Sequence, residues 1–209
     1  MPSNPAELAL MSTPTDVEEV HSSFYDLQVT NTNMSQQLLH VYGELEEIIV
    51  SYFWGISMSC LSNLENSYRK KFIRSLDYQS LGVSNIKKLL DNMAGKNMVV
   101  LYENRESKEE YVMSARMAEF RRKHVLKPHV QKLIYAHHGE ILFSSFDDSY
   151  KDQFNLNLNY HYYGLTGLED LCVILKDILV VRVLNRSGAK VKVIKPVECV
   201  VYNLRKRKK

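Results

Sequence analysis

The chain has 209 residues, 45% of them hydrophobic and 24% charged, an ordinary globular balance with no apolar run long enough to span a bilayer. Its formal charge of +3 comes from the end of the chain: Arg205, Lys206, Arg207, Lys208 and Lys209 supply five of 27 basic side chains, leaving 22 against 24 acids. A uniformly basic protein is excluded, and attraction to a polyanion has to come from local patches.

Residues 1–33 read as a flexible leader in which Pro, Ser, Thr and Asn are frequent and no apolar period persists. Its one apolar cluster is Phe24, Tyr25 and Leu27. It lacks a basic region followed by an apolar core, which reads against a signal peptide. From about Gln36, Leu38, Leu39, Val41, Tyr42, Leu45, Ile48, Ile49, Tyr52 and Phe53 recur at helical spacing. Gly55 is placed to end that helix. Ser59–Leu64 opens a second helix that carries Tyr68 and Phe72 on one face. Leu76-Asp77-Tyr78 is a short extended link, and Gly82 precedes a third helix with Ile86, Leu89, Leu90 and Met93. Met98–Tyr102 predicts a strand, Glu103–Lys108 a charged turn, and Tyr111–Met113 the return strand of a hairpin.

The order then repeats. A continuous charged helix from about Ala115 to Tyr135 leads into His137-His138-Gly139, and Ile141-Leu142-Phe143 starts the next segment. A helix with Tyr150 and Phe154 follows, then a link at Leu158–Tyr160, Gly164, and a helix with Leu168, Leu171 and Leu175. Leu179–Leu184 predicts a strand, Asn185-Arg186-Ser187-Gly188 a turn, and Val191–Ile194 the partner strand before Pro196. One offset of 82 residues carries Tyr68, Phe72, Leu76, Tyr78, Gly82, Leu89 and Val99 onto Tyr150, Phe154, Leu158, Tyr160, Gly164, Leu171 and Val181. Ungapped matches at apolar, aromatic and glycine positions mean that one small fold was duplicated. Three helices followed by a hairpin make a winged helix. The expected class is therefore α+β: two winged-helix domains in tandem at 34–113 and 114–197, with a basic tail at 198–209. The helix from Ala115 joins the copies and is expected to restrict their orientation.

The order Leu-x-x-x-Tyr-x-x-x-Phe, short link, Gly, amphipathic helix, Val-rich strand resembles the LOTUS domain, also called OST-HTH. Leu64, Tyr68, Phe72, Gly82, Leu89, Leu90 and Val99–Leu101 carry it in copy one. Phe146, Tyr150, Phe154, Tyr163-Gly164, Leu168, Leu171 and Val180–Val183 carry it in copy two. Tandem copies joined by a charged helix look most like the LOTUS arrays of meiosis-arrest mRNA-stability factors, without the RRM and nuclease domains that accompany those arrays. The resemblance implies a non-catalytic RNA-binding adaptor in post-transcriptional, germline mRNA regulation. Minimal LOTUS domains bind G-rich and G-quadruplex RNA. Extended ones add a C-terminal helix and dock on a Vasa-type DEAD-box helicase. Only Val197–Lys209 follow copy two's Pro196, which argues for the minimal kind. The alternative is a protein-docking module that recruits such a helicase or deadenylase subunits. A cytoplasmic protein of ribonucleoprotein granules is implied, and Arg205–Lys209 leaves nuclear entry open.

Candidate RNA contacts fall in five groups. Arg69, Lys70, Lys71 and Arg74 on the second helix of copy one are either a phosphate-contact surface or a solvated helix face. Lys87 and Lys88 open its third helix, where copy two has Glu169 and Asp170. Arg182, Arg186, Lys190, Lys192 and Lys195 make the second wing basic, either as a backbone clamp or as protection of a strand edge. Tyr160, His161, Tyr162 and Tyr163 are a dense aromatic run. Tyr160 matches Tyr78 and reads as core, leaving His161 and Tyr162 as exposed rings that stack on bases. Arg116, Arg121, Arg122, Lys123 and Lys127 on the joining helix read first as solubilising charge, with bridging of two RNA contacts as the other reading.

Nothing resembles a nucleophile elbow, a phosphate-cradling loop or a paired-carboxylate site, so neither catalysis, a cofactor nor a small-molecule substrate is expected. His124, His129, His137 and His138 lack metal-ligand spacing. Cys60, Cys172 and Cys199 show neither metal spacing nor a disulfide framework. The first two sit in apolar sequence surroundings, as small hydrophobes in a reducing compartment do.

Overall fold

A computed structural model describes residues 35–197. The leader with Phe24, Tyr25 and Leu27, and the tail from Glu198 with Cys199 and Arg205–Lys209, lie outside the described residues. Tyr42 and the described residues after it belong to one compact unit, whereas 35–41 belong to another and are helical.

Residues 35–51 are helical (α1), with Tyr42, Leu45, Ile48 and Ile49 buried at helical spacing. The Ser51 hydroxyl donates to the Ile48 carbonyl at 2.6 Å, satisfying one of the orphan acceptors of a helix end. Tyr52 and Phe53 therefore fall in the turn rather than the helix. Gly55 follows at φ 78°, where a Cβ would lie 2.9 Å from the Val112 carbonyl oxygen. Close approach of the neighbouring strand, more than helix termination, requires glycine here.

Copy one continues with β1 (Ile56–Ser57), a 3-10 turn, α2 (Leu61–Phe72), α3 (Ile86–Gly95), β2 (Val99–Glu103) and β3 (Glu110–Ser114). Copy two has β4 (Ile141–Leu142), α6 (Phe146–Phe154), α7 (Leu168–Ile174), β5 (Leu179–Arg186) and β6 (Ala189–Pro196), with its first helix supplied by α4 (Ala115–Arg121) and α5 (Lys127–Ala136). Each hairpin carries a third short strand, giving antiparallel sheets ordered β1-β3-β2 and β4-β6-β5. β1 and β4 are absent from the sequence reading because two residues are too short to show a period. The chain is thus an α+β protein of two winged-helix copies.

The copies agree in backbone detail. α2 ends on Ile73 (φ 55°) and α6 on Asn155 (φ 53°), both left-handed and both at the repeat offset. The Tyr78 hydroxyl donates to Glu65, and that of Tyr160 to Asp147, at the same offset again. Tyr68 donates to Glu44 at 2.6 Å, while its equivalent Tyr150 meets His129 Nδ1 at 2.7 Å. In copy two, Leu126, Val130, Leu133, Phe146, Leu171 and Ile194 form the centre of the core.

The joining helix is not one continuous α-helix. Between α4 and α5, Arg122–Leu126 form a π turn in which the Lys127 N–H reaches the Arg122 carbonyl. Pro128, which has no N–H to give residue 124, sits in the first turn of α5 and accounts for the interruption. Cys60 also departs from expectation: it is exposed, whereas Cys172 is partly covered and burial pushes its thiol up to about 11.

Candidate nucleic-acid interface

The register of β5 and β6 distributes the wing's cations. Val183 pairs with Lys192, Asn185 with Lys190, Arg182 with Val193, Arg186 with Ala189 and Val180 with Lys195. Opposed residues share a face and alternate residues do not. Lys190 and Lys192 therefore project from one face of the ribbon, and Arg182, Arg186 and Lys195 from the other. Glu140 gathers part of the second set: Lys195 Nζ is 2.8 Å from its Oε2, and Arg186 pairs with its Oε1. The hydrogen bond from Lys195 and the charges of both cations hold the Glu140 carboxyl below its ordinary range. Lys192 Nζ sits 5.4 Å from the Phe143 ring centroid. Arg182 and Lys190 are exposed and meet no carboxylate among the described residues.

Three of the six copy-one cations are neutralised. Lys71 Nζ lies 2.7 Å from Glu47, Arg74 Nη2 2.6 Å from Glu44, and Lys87 Nζ 3.1 Å from Glu110. Arg69 donates to the neutral Asn66 at 3.0 Å, so Arg69, Lys70 and Lys88 are exposed cations without an acid among the described residues. The Lys71 and Lys87 pairs are exposed and stabilise little, whereas the Glu44 side chain is mostly covered; each acid cancels charge that a phosphate would otherwise meet.

His161 and Tyr162 do not stand free, in contrast to the sequence expectation. They form a 3-10 turn with Tyr163, at the seam between the copies. The His161 Nδ1 lies 3.0 Å from the Tyr102 hydroxyl, and its ring makes an edge contact with Tyr111 at 4.6 Å and stacks within 4° of Trp54. Burial, and then the charge of Arg121, lowers its pKa from the ordinary 6.5. Phe53, expected as the last apolar position of the first helix, and Trp54, which the sequence reading left without a role, complete this aromatic cluster and are about half exposed. A lone Trp beside Gly55 in a turn was the available signal.

Arg121 holds the seam together, and it is 1% exposed rather than a solubilising surface charge. Its guanidinium carbon sits 4.2 Å from the Phe53 ring centroid and 4.3 Å from that of Tyr162. Nη1 donates to the Tyr162 carbonyl at 2.8 Å and Nη2 to that of Phe53 at 2.7 Å. Arg122 continues the pattern, donating from Nε to Tyr163 and from Nη2 to Gly164, at 2.8 and 2.7 Å. Two adjacent arginines thus take three successive carbonyls of one turn. Planar multi-donor geometry of this kind is specific to arginine. Burial lowers the pKa of both.

Among the described residues no group of three His, Cys, Asp or Glu is placed to hold a metal ion, and no helix is long and apolar enough to cross a membrane. His129 is bonded to Tyr150, and His124 packs 4.7 Å from Phe120.

No protein-family model matches the chain, and no curated protein does. A structural match is found to the NMR structure of the second and third lotus domains of tudor domain-containing protein 7, at 11% identity and a TM-score of 0.27, covering 75% of this chain and 93% of that one.

Proposed function

We propose that the chain is a non-catalytic adaptor that binds structured or G-rich RNA through the wing of copy two, in post-transcriptional regulation of the kind the LOTUS resemblance implies. The observation that supports this reading is the wing itself. Five cations stand on a strand pair that contributes no acid of its own, and Arg186 and Lys190 lie at its tip. Cations on both faces of a ribbon suit a backbone grip, which supplies most sequence-independent affinity. The half-exposed Trp54 adds a stacking surface at the seam. On this reading the winged-helix copies at 34–113 and 114–197 serve one adaptor function, in the cytoplasm or its ribonucleoprotein granules. DEAD-box helicases and deadenylase subunits are the partners such an adaptor recruits.

The test is binding of a G-quadruplex RNA, an unstructured RNA and a DNA duplex across a salt series. Arg186→Glu/Lys190→Glu is expected to weaken RNA binding about tenfold or more and to reduce the salt slope by about two phosphate contacts. Absence of binding to any nucleic acid at low salt, or an unaltered double variant, sinks the reading.

A further inference from the structure

Copy two leaves a strand edge open beside an apolar groove. In the order β4-β6-β5, the outer edge of β5 has no strand partner among the described residues. Alternate backbone N–H and C=O groups of Leu179–Arg186 therefore face away from the sheet, a template for a further strand. Next to that edge, between β5 and α7, lies a groove of about 790 Å³ whose apolar lining includes Val173, Val180, Val181, Phe143 and Pro196. Val173 is 67% exposed and the nearby strand residue Val183 58%. Lys176, Arg182 and Lys192 border the groove against a single acid, Glu169. Lys176 and Arg182 are exposed and pair with no carboxylate among the described residues.

Nucleic acid is a poor occupant here. α7 presents Glu169 and Asp170 in its first turn, which repels phosphate, and the apolar lining is aliphatic apart from Phe143. Backbone donors and acceptors along an edge, aliphatic side chains beside it and a cationic border instead select a polypeptide.

We infer that this edge and groove bind an extended segment of a partner protein that adds a strand to β5, with apolar side chains at alternate positions and carboxylates between them. Pairing with the β5 backbone supplies affinity, and the groove selects the side chains. Period-two alternation sends one set of side chains toward the face of β5 that carries Val181 and Val183 and the other toward the face that carries Arg182, at the groove's border. The groove shares Arg182 and Lys192 with the wing but lies off the tip that carries Arg186 and Lys190, so variants at Val173 and at the tip distinguish peptide from RNA binding.

The test uses a fluorescein-labelled heptapeptide of alternating valine and glutamate, with a valine–lysine heptapeptide as the charge-reversed control. Fluorescence anisotropy should show saturable binding of the acidic peptide, about tenfold tighter than the basic one. Hydrogen exchange should slow across 179–186 when it binds. Val173→Asp changes a side chain outside the core and is expected to weaken the acidic peptide about tenfold while leaving RNA binding unchanged. Lys176→Glu/Arg182→Glu should turn the preference toward the basic peptide. Equal binding of both peptides, no change in exchange at β5, or an unaffected Val173→Asp overturns the inference. Loss of RNA binding in Arg186→Glu/Lys190→Glu with peptide binding intact would separate the two sites.

Discussion

Arg121 donates from Nη1 to the carbonyl oxygen of Tyr162 at 2.8 Å, 41 positions along the chain. Because the same guanidinium also reaches the Phe53 carbonyl, one side chain of the joining helix fastens a turn of copy one to a turn of copy two. Among the described residues the charge has no ion-pair partner. Two carbonyl dipoles and two ring faces replace the water it has lost, and hydrogen bonds from a charged donor contribute roughly 1.5–3 kcal/mol each. Arg121→Met keeps much of the volume but leaves two carbonyls without a donor. It is expected to lower stability by roughly 2–5 kcal/mol in urea unfolding and to split one transition into two. Arg121→Lys should rescue little, since an ammonium cannot span both carbonyls. An unmoved midpoint in Arg121→Met would show that the clamp contributes nothing.

A second prediction comes from comparing the copies. Ile73 ends α2 at φ 55° and is 91% exposed, while Asn155 ends α6 at φ 53°. A β-branched residue in the left-handed region carries strain of roughly 1–2 kcal/mol, which asparagine largely escapes by local hydrogen bonding. Ile73→Asn should therefore stabilise by about 1 kcal/mol without touching a core contact, and Asn155→Ile should destabilise by a similar amount. Thermal unfolding of the two variants against the parent decides it; identical midpoints would mean that the cap conformation carries no strain.

The fold was largely legible because duplication doubles every weak signal. Tyr78 and Tyr160 match in sequence at the offset that the left-handed caps and the tyrosine–carboxylate bonds obey in space. Their acceptors escaped notice because Glu65 and Asp147 differ by a methylene and do not register as an identical pair at the repeat offset. The seam was not legible. Arg121 carries the same letter as the surface arginines around it, and only the packing of Phe53 and Tyr162 against it makes it structural. His161 and Tyr162 were read as exposed because periodicity within one copy cannot report a contact with the other. The wing cations stand out in the sequence, but their division between two faces follows from cross-strand register, which the turn length alone left open.

The two perturbed histidines set a pH dependence. Burial lowers the pKa of His161 from 6.5, and the charge of Arg121 lowers it further. Burial, then Lys132, does the same for His129. A pKa depressed in the folded state means that the unfolded chain takes up the proton first. Stability is then full above about pH 6.5 and declines as pH falls through the window between 6.5 and the depressed folded value. The urea midpoint is expected to drop between pH 7.5 and 5.5. Each of His161→Gln and His129→Gln should flatten part of that drop. A midpoint that is level, or that rises on acidification, contradicts the burial of both rings.

Glu140 offers the sharpest test of the wing. Its two oxygens are occupied by Lys195 and Arg186, so it is an internal competitor for cations that a phosphate would otherwise meet. Glu140→Gln removes that competitor while keeping the side chain's shape. If the wing grips RNA, affinity should rise several-fold at low salt, and the salt slope should steepen by up to one or two phosphate contacts as the freed cations engage the backbone. The gain should vanish when Arg186→Glu is added, because the benefit runs through that residue. If RNA leaves the wing untouched, Glu140→Gln changes only the fixing of β6 to the segment before β4, and binding curves of variant and parent coincide at every salt concentration.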